Sequence, residues 1–130
     1  MKVIHTSGKR KSAVARATLK PGEGVVRINS LPLNLYQPEM YRQRIFEPLY
    51  LADDVSKKID ISVNVRGGGR ASQTDAIRLA IGKALAKFQP ALKKTFLHYD
   101  RTLLVADVRF KEPYKPNESK ARAARQKSYR

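Results

Sequence analysis

The clearest strand and the clearest helix of this chain follow one another in residues 59–88, IDISVNVRGGGRASQTDAIRLAIGKALAKF. From Ile59 to Arg66 apolar and polar residues alternate strictly, as in a strand with one buried and one solvent-exposed face. After three glycines the period becomes that of a helix, with an apolar stripe formed by Ile77, Ile81, Leu85 and Phe88. The pattern therefore predicts a helix that packs on the buried face of a sheet.

The ends of this helix are predicted from its capping residues. Ser72 is expected to cap the N-terminus, with the Asp75 carboxylate in the first turn, where it suits the helix dipole. Pro90 predicts the end of the helix. The basic residues that flank the apolar stripe are Arg78, Lys83 and Lys87.

The three consecutive glycines between strand and helix, Gly67, Gly68 and Gly69, have two compatible interpretations. Glycine costs backbone entropy on folding, so such a run indicates positive φ or the close approach of another group. One interpretation is a tight turn that folds the helix back on its strand. The other is a phosphate site, formed by bare N–H groups at the helix N-terminus between Arg66 and Arg70. No Gly-Lys-Ser/Thr ending follows, so the run is not a nucleotide-binding P-loop.

The N-terminal segment is strongly basic. It carries Lys9, Arg10, Lys11 and Arg16, and no acid occurs from residue 1 to residue 20. This charge pattern favours contact with phosphate, although an ordinary solvent-exposed strand face remains the alternative. The segment continues into a predicted strand over residues 13–20, and the turn residues 21–24 predict a hairpin with a returning strand at 25–29.

Further elements complete a two-layer α/β prediction. Residues 36–51 have a helical pattern that Pro48 is expected to break or kink, and Pro90 opens a further helix in which Leu92 and Phe96 pair. Residues 102–110 alternate as a fourth strand. The predicted fold is α/β (α+β), with a four-stranded mixed sheet covered by helices on one face.

Composition restricts the class of partner. The 130 residues contain 27 Lys+Arg against 11 Asp+Glu, a net charge of +16 and a pI near 10.4, which predict a polyanionic partner. No apolar run approaches the length of a spanning helix, so nucleic acid is favoured over a membrane. No cysteine and only two histidines are present, and we expect neither a metal nor a cofactor. No catalytic residues are predicted, because His98 and Asp100 have no nucleophile beside them in the sequence.

The chain divides into a predicted globular domain, 1–110, and a basic C-terminal tail, 111–130. Pro113 and Pro116 disfavour regular structure, large aliphatic residues disappear, and no acid follows Glu118. Such a segment buries too little apolar surface to offset its ordering entropy, so we expect it to be disordered when free and ordered on a partner.

The glycine run is part of a longer motif, Gly67-Gly68-Gly69-Arg70-Ala71-Ser72-Gln73, followed by Ala76, Ala80, Gly82, Lys83, Ala84 and Leu85. This motif resembles the signature of the universal ninth protein of the small ribosomal subunit. Residues 8–16, GKRKSAVAR, resemble the opening segment of that family, and the basic end closing in Tyr129-Arg130 resembles its tail. The short N-terminus and the Tyr-Arg ending are more like the archaeal and eukaryotic members than the bacterial ones.

The resemblance implies a structural constituent of the small subunit in the cytoplasmic ribosome, not an enzyme. Its implied partners are ribosomal RNA of the head, neighbouring head proteins and the peptidyl-site transfer RNA. With the charge pattern, it predicts ribosomal RNA contacts at Lys9, Arg10, Lys11, Arg16, Arg66, Gly67, Gly68, Gly69, Arg70, Gln73, Lys120, Arg122, Arg125 and Lys127. It predicts transfer RNA contacts at Ser128, Tyr129 and Arg130. It also implies that the crossover from the strand at residue 59 through its helix to a parallel partner strand is left-handed, as in the second domain of small-subunit protein five.

Two other functions remain open at the level of sequence. A small-molecule kinase of the same fold class also places a Gly/Ser-rich loop before a helix, but its Pro-x-x-x-Gly-Leu-x-Ser-Ser-Ala pattern is absent here. A free basic regulator that binds RNA outside the ribosome is the second alternative.

Overall fold

The structure is a computed structural model that describes residues 3–36, 38–106 and 109. Within these residues five strands form one mixed sheet: β1 (Ile4–Arg10), β2 (Ala13–Pro21), β3 (Val26–Ile28), β4 (Leu31–Pro32) and β5 (Ile59–Arg66). The three α-helices are α1 (Glu39–Ala52), α2 (Arg70–Phe88) and α3 (Leu92–Tyr99). Short 3₁₀ turns lie at Leu33–Leu35, Asp53–Lys58 and Arg101–Leu103. The fold is therefore α+β, as predicted, with one strand more than expected.

The predicted strand at residue 59 is β5, in the centre of the sheet. The strand order is β1-β2-β5-β3-β4, in which only β3 and β5 are parallel neighbours. Alternate residues of β2 and β5 are buried under the helices, and those between them face outward. The sheet thus has one covered face and one open face.

Helix α2 packs directly on the covered face. Small residues make this approach possible: Ala13, Ala15 and Ala17 of β2 are almost completely buried beneath it. On its other side α2 packs against α1, so ten of its residues are buried. In α3 the predicted pair, Leu92 and Phe96, is buried as expected.

The predicted hairpin between residues 13–20 and 25–29 is wrong. Strand β5 lies between β2 and β3, and β3 runs parallel to it. The reason is a contact that is distant in sequence: Asp60 Oδ1 accepts hydrogen bonds from the backbone N–H groups of Glu23, Gly24 and Val25, at 3.0, 3.2 and 3.0 Å. This carboxylate holds the connecting loop across the start of β5 and directs the chain to its far side.

The predicted strand at residues 102–110 is also wrong in the part that the structure describes. Residues 101–103 form a 3₁₀ turn, in which the Asp100 side chain accepts a hydrogen bond from Thr102 N, and residues 107, 108 and 110 lie outside the described ranges. The expected parallel partner after α2 is therefore not seen among the described residues. The sequence pattern missed two strands, β1 and the two-residue β4. Strand β1 carries few large aliphatic residues and has Gly8 on its buried side.

Two predictions about helices need correction. Helix α1 is not broken at Pro48 and continues to Ala52, because Pro48 and Leu49 are buried and hold the segment in place. Helix α2 begins at Arg70 after an N-cap at Gly69, so Ser72 is not its cap. Its C-terminal end at Phe88, just before Pro90, agrees with the prediction.

Arg78, which the sequence pattern places beside the apolar stripe of α2, is a buried ionic centre. Its Nε and Nη2 atoms donate to Glu47 of α1, Nη2 donates to Asp100 at 3.1 Å, and Nη1 donates to Thr102 at 3.0 Å. The Arg78 side chain is 5% exposed. Burial raises the pKa of Asp100, but hydrogen bonds from Thr102 and Arg78 outweigh it and hold that pKa below its usual value. This network ties α1, α2 and the segment after α3 together.

We expect Arg78→Met to destabilise the protein by about 2–3 kcal/mol, because two carboxylates then face each other without a cation. The loss is smaller than the ~3–5 kcal/mol of a fully buried pair, since both carboxylates stay partly exposed. Urea unfolding of the full chain measures it. Arg70→Met, on the exposed start of the same helix, is the control and should stay within about 0.5 kcal/mol. Equal stabilities of the two variants would contradict the role of Arg78.

Asp60→Asn tests the loop anchor through its pH dependence. Hydrogen bonds from the backbone of Val25 and Glu23 lower the pKa of Asp60 below 3.8 in the folded state. The stabilisation is therefore fully present above pH 3.8 and lost as pH falls through the folded-state pKa. Wild type should exceed Asp60→Asn in stability at neutral pH, and the difference should shrink below pH 3.8. Asp54→Asn, in an exposed 3₁₀ turn, is the control; a pH-independent difference for Asp60 would refute the anchor.

Candidate nucleic-acid interface

The turn between β5 and α2 requires glycine at two positions. Gly67 and Gly68 have φ of 77° and 65°, a region that L-residues with side chains seldom adopt. A Cβ on Gly67 would lie 2.5 Å from the carbonyl oxygen of Ser12, and one on Gly68 would lie 3.1 Å from Ala13. The turn is thus pressed against the β1–β2 turn, which begins at Lys11. The tight-turn interpretation of the glycine run is confirmed for these two residues.

The N-terminus of α2 presents backbone donors at this turn. Gly69, the N-cap, is extended, and its carbonyl oxygen accepts from Gln73 N at 2.9 Å. No side chain caps the helix, and its first turn contains no acid. The N–H groups at the start of α2 therefore have no partner within the helix and carry its positive dipole end. This is the arrangement that binds anions.

The half-buried Gln73 stabilises the turn through its side chain. Its Nε2 donates to the carbonyl oxygen of Gly67 at 3.1 Å, which closes the turn over the first helical residues. Gln73, which was predicted to contact RNA, thus has a structural role in the turn through this hydrogen bond.

The strand register brings basic residues of the open face to the same end of the sheet. Val14 is paired with Lys9 on one side and with Arg66 on the other. In the next outward-facing row, Arg16 is paired with Asn64. Lys9, Arg16 and Arg66 are exposed, and within the described residues none of them has an ion pair.

Asn29 contributes to this end in a way that the sequence did not reveal. Its backbone N–H donates to Val63 at 2.7 Å, and its side-chain oxygen accepts from Val65 N at 2.9 Å. The Asn29 side chain thus continues the ladder between β3 and β5 beyond the end of β3 and supports β5 where Arg66 begins the turn. Its φ is +50°, which Asn tolerates better than most residues, and this tolerance is the only feature of the residue type that points to such a position.

Asp75 forms ion pairs with Arg10 and Arg44 near the N-terminus of α2. It lies in the second turn of α2, so it is not the first-turn acid that the sequence predicted. Its carboxylate is 2.8 Å from Arg44 Nη2, as an ion pair without hydrogen-bond geometry, and 3.7 Å from Arg10 Nε. Arg10 also donates to the carbonyl oxygen of Arg109, and its side chain is 15% exposed. Arg10 is therefore held inside the protein more than its neighbours are.

The structure brings together the predicted contact residues of the globular part, and we call their exposed members the glycine-turn surface: Lys9, Lys11, Arg16, Arg66, Gly67, Gly68, Gly69 and Arg70. Arg10 and Gln73 lie behind it. The predicted tail residues Lys120, Arg122, Arg125, Lys127, Ser128, Tyr129 and Arg130 lie outside the described residues. Within the described ranges no cluster of three or more His, Cys, Asp or Glu residues is placed to hold a metal ion, and no helix is long and apolar enough to cross a membrane.

Comparison with known proteins shows the family to which the chain belongs. The family described as "Ribosomal protein S9/S16" matches residues 8–130. A protein of Methanococcus maripaludis strain C7 called "Small ribosomal subunit protein uS9" is 52% identical over 134 residues, covering all of both chains. Proteins of the same name from Methanococcus vannielii and Thermoplasma volcanium are 52% and 50% identical, again over the whole of both chains. The chain therefore belongs to the ribosomal protein S9/S16 family.

Proposed function

We propose that this chain, as a structural constituent of the small ribosomal subunit and not an enzyme, binds ribosomal RNA of the head through the glycine-turn surface. One observation supports this proposal most strongly. The N–H groups at the start of α2, which have no partner within the helix, lie at the same end of the sheet as cations that have no ion pair among the described residues. Backbone donors and guanidinium groups both favour phosphate oxygens, and such contacts fix orientation without reading sequence.

The net charge supports an electrostatic mode of binding. Four of the carboxylates in the described residues, those of Glu47, Asp60, Asp75 and Asp100, are engaged by the protein's own donors, so they do little to offset the basic surface. The glycine-turn surface includes none of them. A solvent-exposed strand face would not require the turn to hold bare N–H groups beside Arg66 and Arg70, and we therefore favour RNA over that alternative.

The salt dependence of RNA binding tests this proposal. If about six to ten phosphates are neutralised, affinity of the full chain for small-subunit ribosomal RNA should fall about 10³–10⁵-fold between 50 and 200 mM salt. Gly68→Val should weaken both folding and binding, because its β-branched side chain meets a left-handed backbone and contacts Ala13. Filter binding and urea unfolding give the two quantities.

Gly69→Ala is the matched control for Gly68→Val. Gly69 has φ of −98°, and a Cβ there would meet nothing within 4 Å, so this variant should fold normally. A second variant, Arg66→Gln with Arg70→Gln, removes two exposed cations without straining the turn and should reduce the salt dependence. An affinity that does not respond to salt or to loss of these arginines would refute the proposal.

We propose that residues 1–110 form the RNA-binding domain and that residues 111–130 act as a basic tail that reaches the peptidyl site. Support comes from family membership, from Lys120, Arg122, Arg125 and Lys127, and from the absence of acids after Glu118. The last twelve residues, 119–130, span at most about 40 Å when extended, enough to leave a globular body. The guanidinium of Arg130 would pair with a transfer RNA phosphate, with Ser128 and Tyr129 beside it.

Family membership supports three further proposals. Neighbouring head proteins of the small subunit are partners of this chain, and its site of action is the cytoplasmic ribosome. The resemblance places the left-handed crossover after the strand at residue 59 and its helix; we propose that it lies instead in the connection from β3 through α1 to β5, which joins the parallel neighbours.

Deleting Tyr129 and Arg130 tests the tail. Subunits should still assemble, because upstream basic residues remain, but initiator transfer RNA should dissociate faster from the peptidyl site. The measurement is the dissociation rate from purified subunits that carry the full-length or shortened chain, across a salt series. Lys120→Gln, which keeps the terminus, is the control. Identical rates for full-length and shortened chains at every salt concentration would show that the terminus does not contact transfer RNA.

A further inference from the structure

A second basic concavity lies at the β1 edge of the sheet, away from the β5–α2 turn. We call it the edge groove, and it runs between β1 and the C-terminal half of α2. Its polar and charged lining is His5, Ser7, Lys83, Lys87 and Lys93, with Arg16, Thr18 and Asn64 where it meets the open face of the sheet. Ala86 and Leu104 form an apolar part of its wall. The lining contains four cations and no carboxylate.

The four cations of the edge groove have no ion pair. Arg16, Lys83, Lys87 and Lys93 have no carboxylate within 4.0 Å among the described residues. Other cations of the same domain do have such partners, namely Arg10, Arg42, Arg44 and Arg78. The edge groove therefore gathers positive charge that the protein itself leaves uncompensated.

Lys83 is held in position to act in this groove. Its Nζ donates to the carbonyl oxygen of Ser7 at 3.1 Å, so α2 and the edge strand β1 fix the ammonium group together. An ammonium group has three N–H donors, and two remain for a ligand. Lys87 follows four residues later on the same face of α2, and it is exposed.

The remaining polar groups suit a ribose-phosphate backbone. Asn64 is exposed, and its amide offers both a donor and an acceptor. Thr18 and His5 interact with each other at 3.2 Å at the rim of the groove. Such neutral groups can hydrogen bond to ribose 2′-hydroxyls, while the cations meet phosphates. An acidic protein segment would satisfy the cations but would use these groups less.

We propose that the edge groove binds the backbone of a second RNA segment, distinct from the one at the glycine-turn surface. Along α2 the distance from Arg70 to Lys83 is about 20 Å, at about 1.5 Å per residue, so the two ends of the helix contact different phosphates. The domain then bridges two parts of the ribosomal RNA. This inference rests on the proposed RNA-binding function and adds to it a second site, which shares only Arg16 with the glycine-turn surface and is otherwise formed by other residues.

Directed cleavage of RNA in assembled small subunits tests this assignment. The chain has no cysteine, so a single one introduced by Lys87→Cys carries an iron chelate without competing sites. Lys11→Cys reports on the glycine-turn surface, and Lys57→Cys, exposed in the 3₁₀ turn before β5, is the control. We expect strong RNA cleavage from positions 87 and 11, at different nucleotides, and weaker cleavage from position 57.

Other cleavage patterns would contradict the edge groove, the second RNA segment or the proposed function. Cleavage from position 11 alone would overturn the edge groove and leave the proposed function standing. Cleavage of the same nucleotides from positions 11 and 87 would overturn the second segment. Cleavage of a neighbouring protein from position 87, without RNA cleavage, would assign the groove to a protein segment and overturn the proposal. No cleavage from any position would contradict both proposals.

A binding measurement provides an independent test of the edge groove. Lys87→Gln with Lys93→Gln removes two exposed cations and no observed hydrogen bond. The slope of log affinity against log salt for small-subunit ribosomal RNA should decrease by about 1.4–1.8, which corresponds to two lost phosphate contacts. Lys57→Gln with Lys58→Gln makes the same change in charge and should leave the slope unchanged. Equal slopes for the two double variants would overturn the proposal.

Discussion

The close contact between the β5–α2 turn and the β1–β2 turn is the constraint on which this structure depends. Gly67 and Gly68 lie in left-handed conformations against Ser12 and Ala13, with no space for side chains. Helix α2 can reverse direction immediately after β5 because of this pair, and it then covers the alanine-rich face of β2. The same reversal exposes the helix N-terminus next to Lys9 and Arg66. Folding and the proposed binding of phosphate thus use one turn.

The acidic residues explain how so basic a chain keeps a defined interior. Asp60 binds the loop that separates β2 from β3, while Glu47 and Asp100 neutralise the buried Arg78. Asp75 holds Arg44 and Arg10 behind the glycine turn. In each case the carboxylate is engaged within the protein, and the cations left over lie on the surface. A chain built in this way gains cohesion from its acids without losing attraction for a polyanion.

Local periodicity in the sequence predicts those helices and strands whose apolar residues recur with a regular spacing. Strand β5, the glycine turn and helices α1, α2 and α3 were expected at about the right places, because their apolar residues recur with a clear period. The errors arose from contacts distant in sequence. The hydrogen bonds from the loop at residues 23–25 to Asp60 replaced an expected hairpin with a parallel pair of strands. The ion pairs of Arg78 hold in the interior a charged residue that the pattern placed only beside the apolar stripe. The charge pattern predicts the basic residues of the glycine-turn surface. The role of Asn29 could not be predicted in this way, because the only indication in the sequence is that asparagine tolerates a positive φ.

The central claim is that backbone N–H groups at the start of α2 hold an RNA phosphate. The most direct measurement is an electron cryomicroscopy map of the assembled small subunit, detailed enough to place backbone and phosphate atoms around this turn. The account predicts a phosphate oxygen about 2.7–3.2 Å from a backbone nitrogen between Gly69 and Ser72, with the Arg66 or Arg70 guanidinium beside it. If these N–H groups face solvent or another protein, and the nearest phosphate lies beyond hydrogen-bonding distance, the account is contradicted.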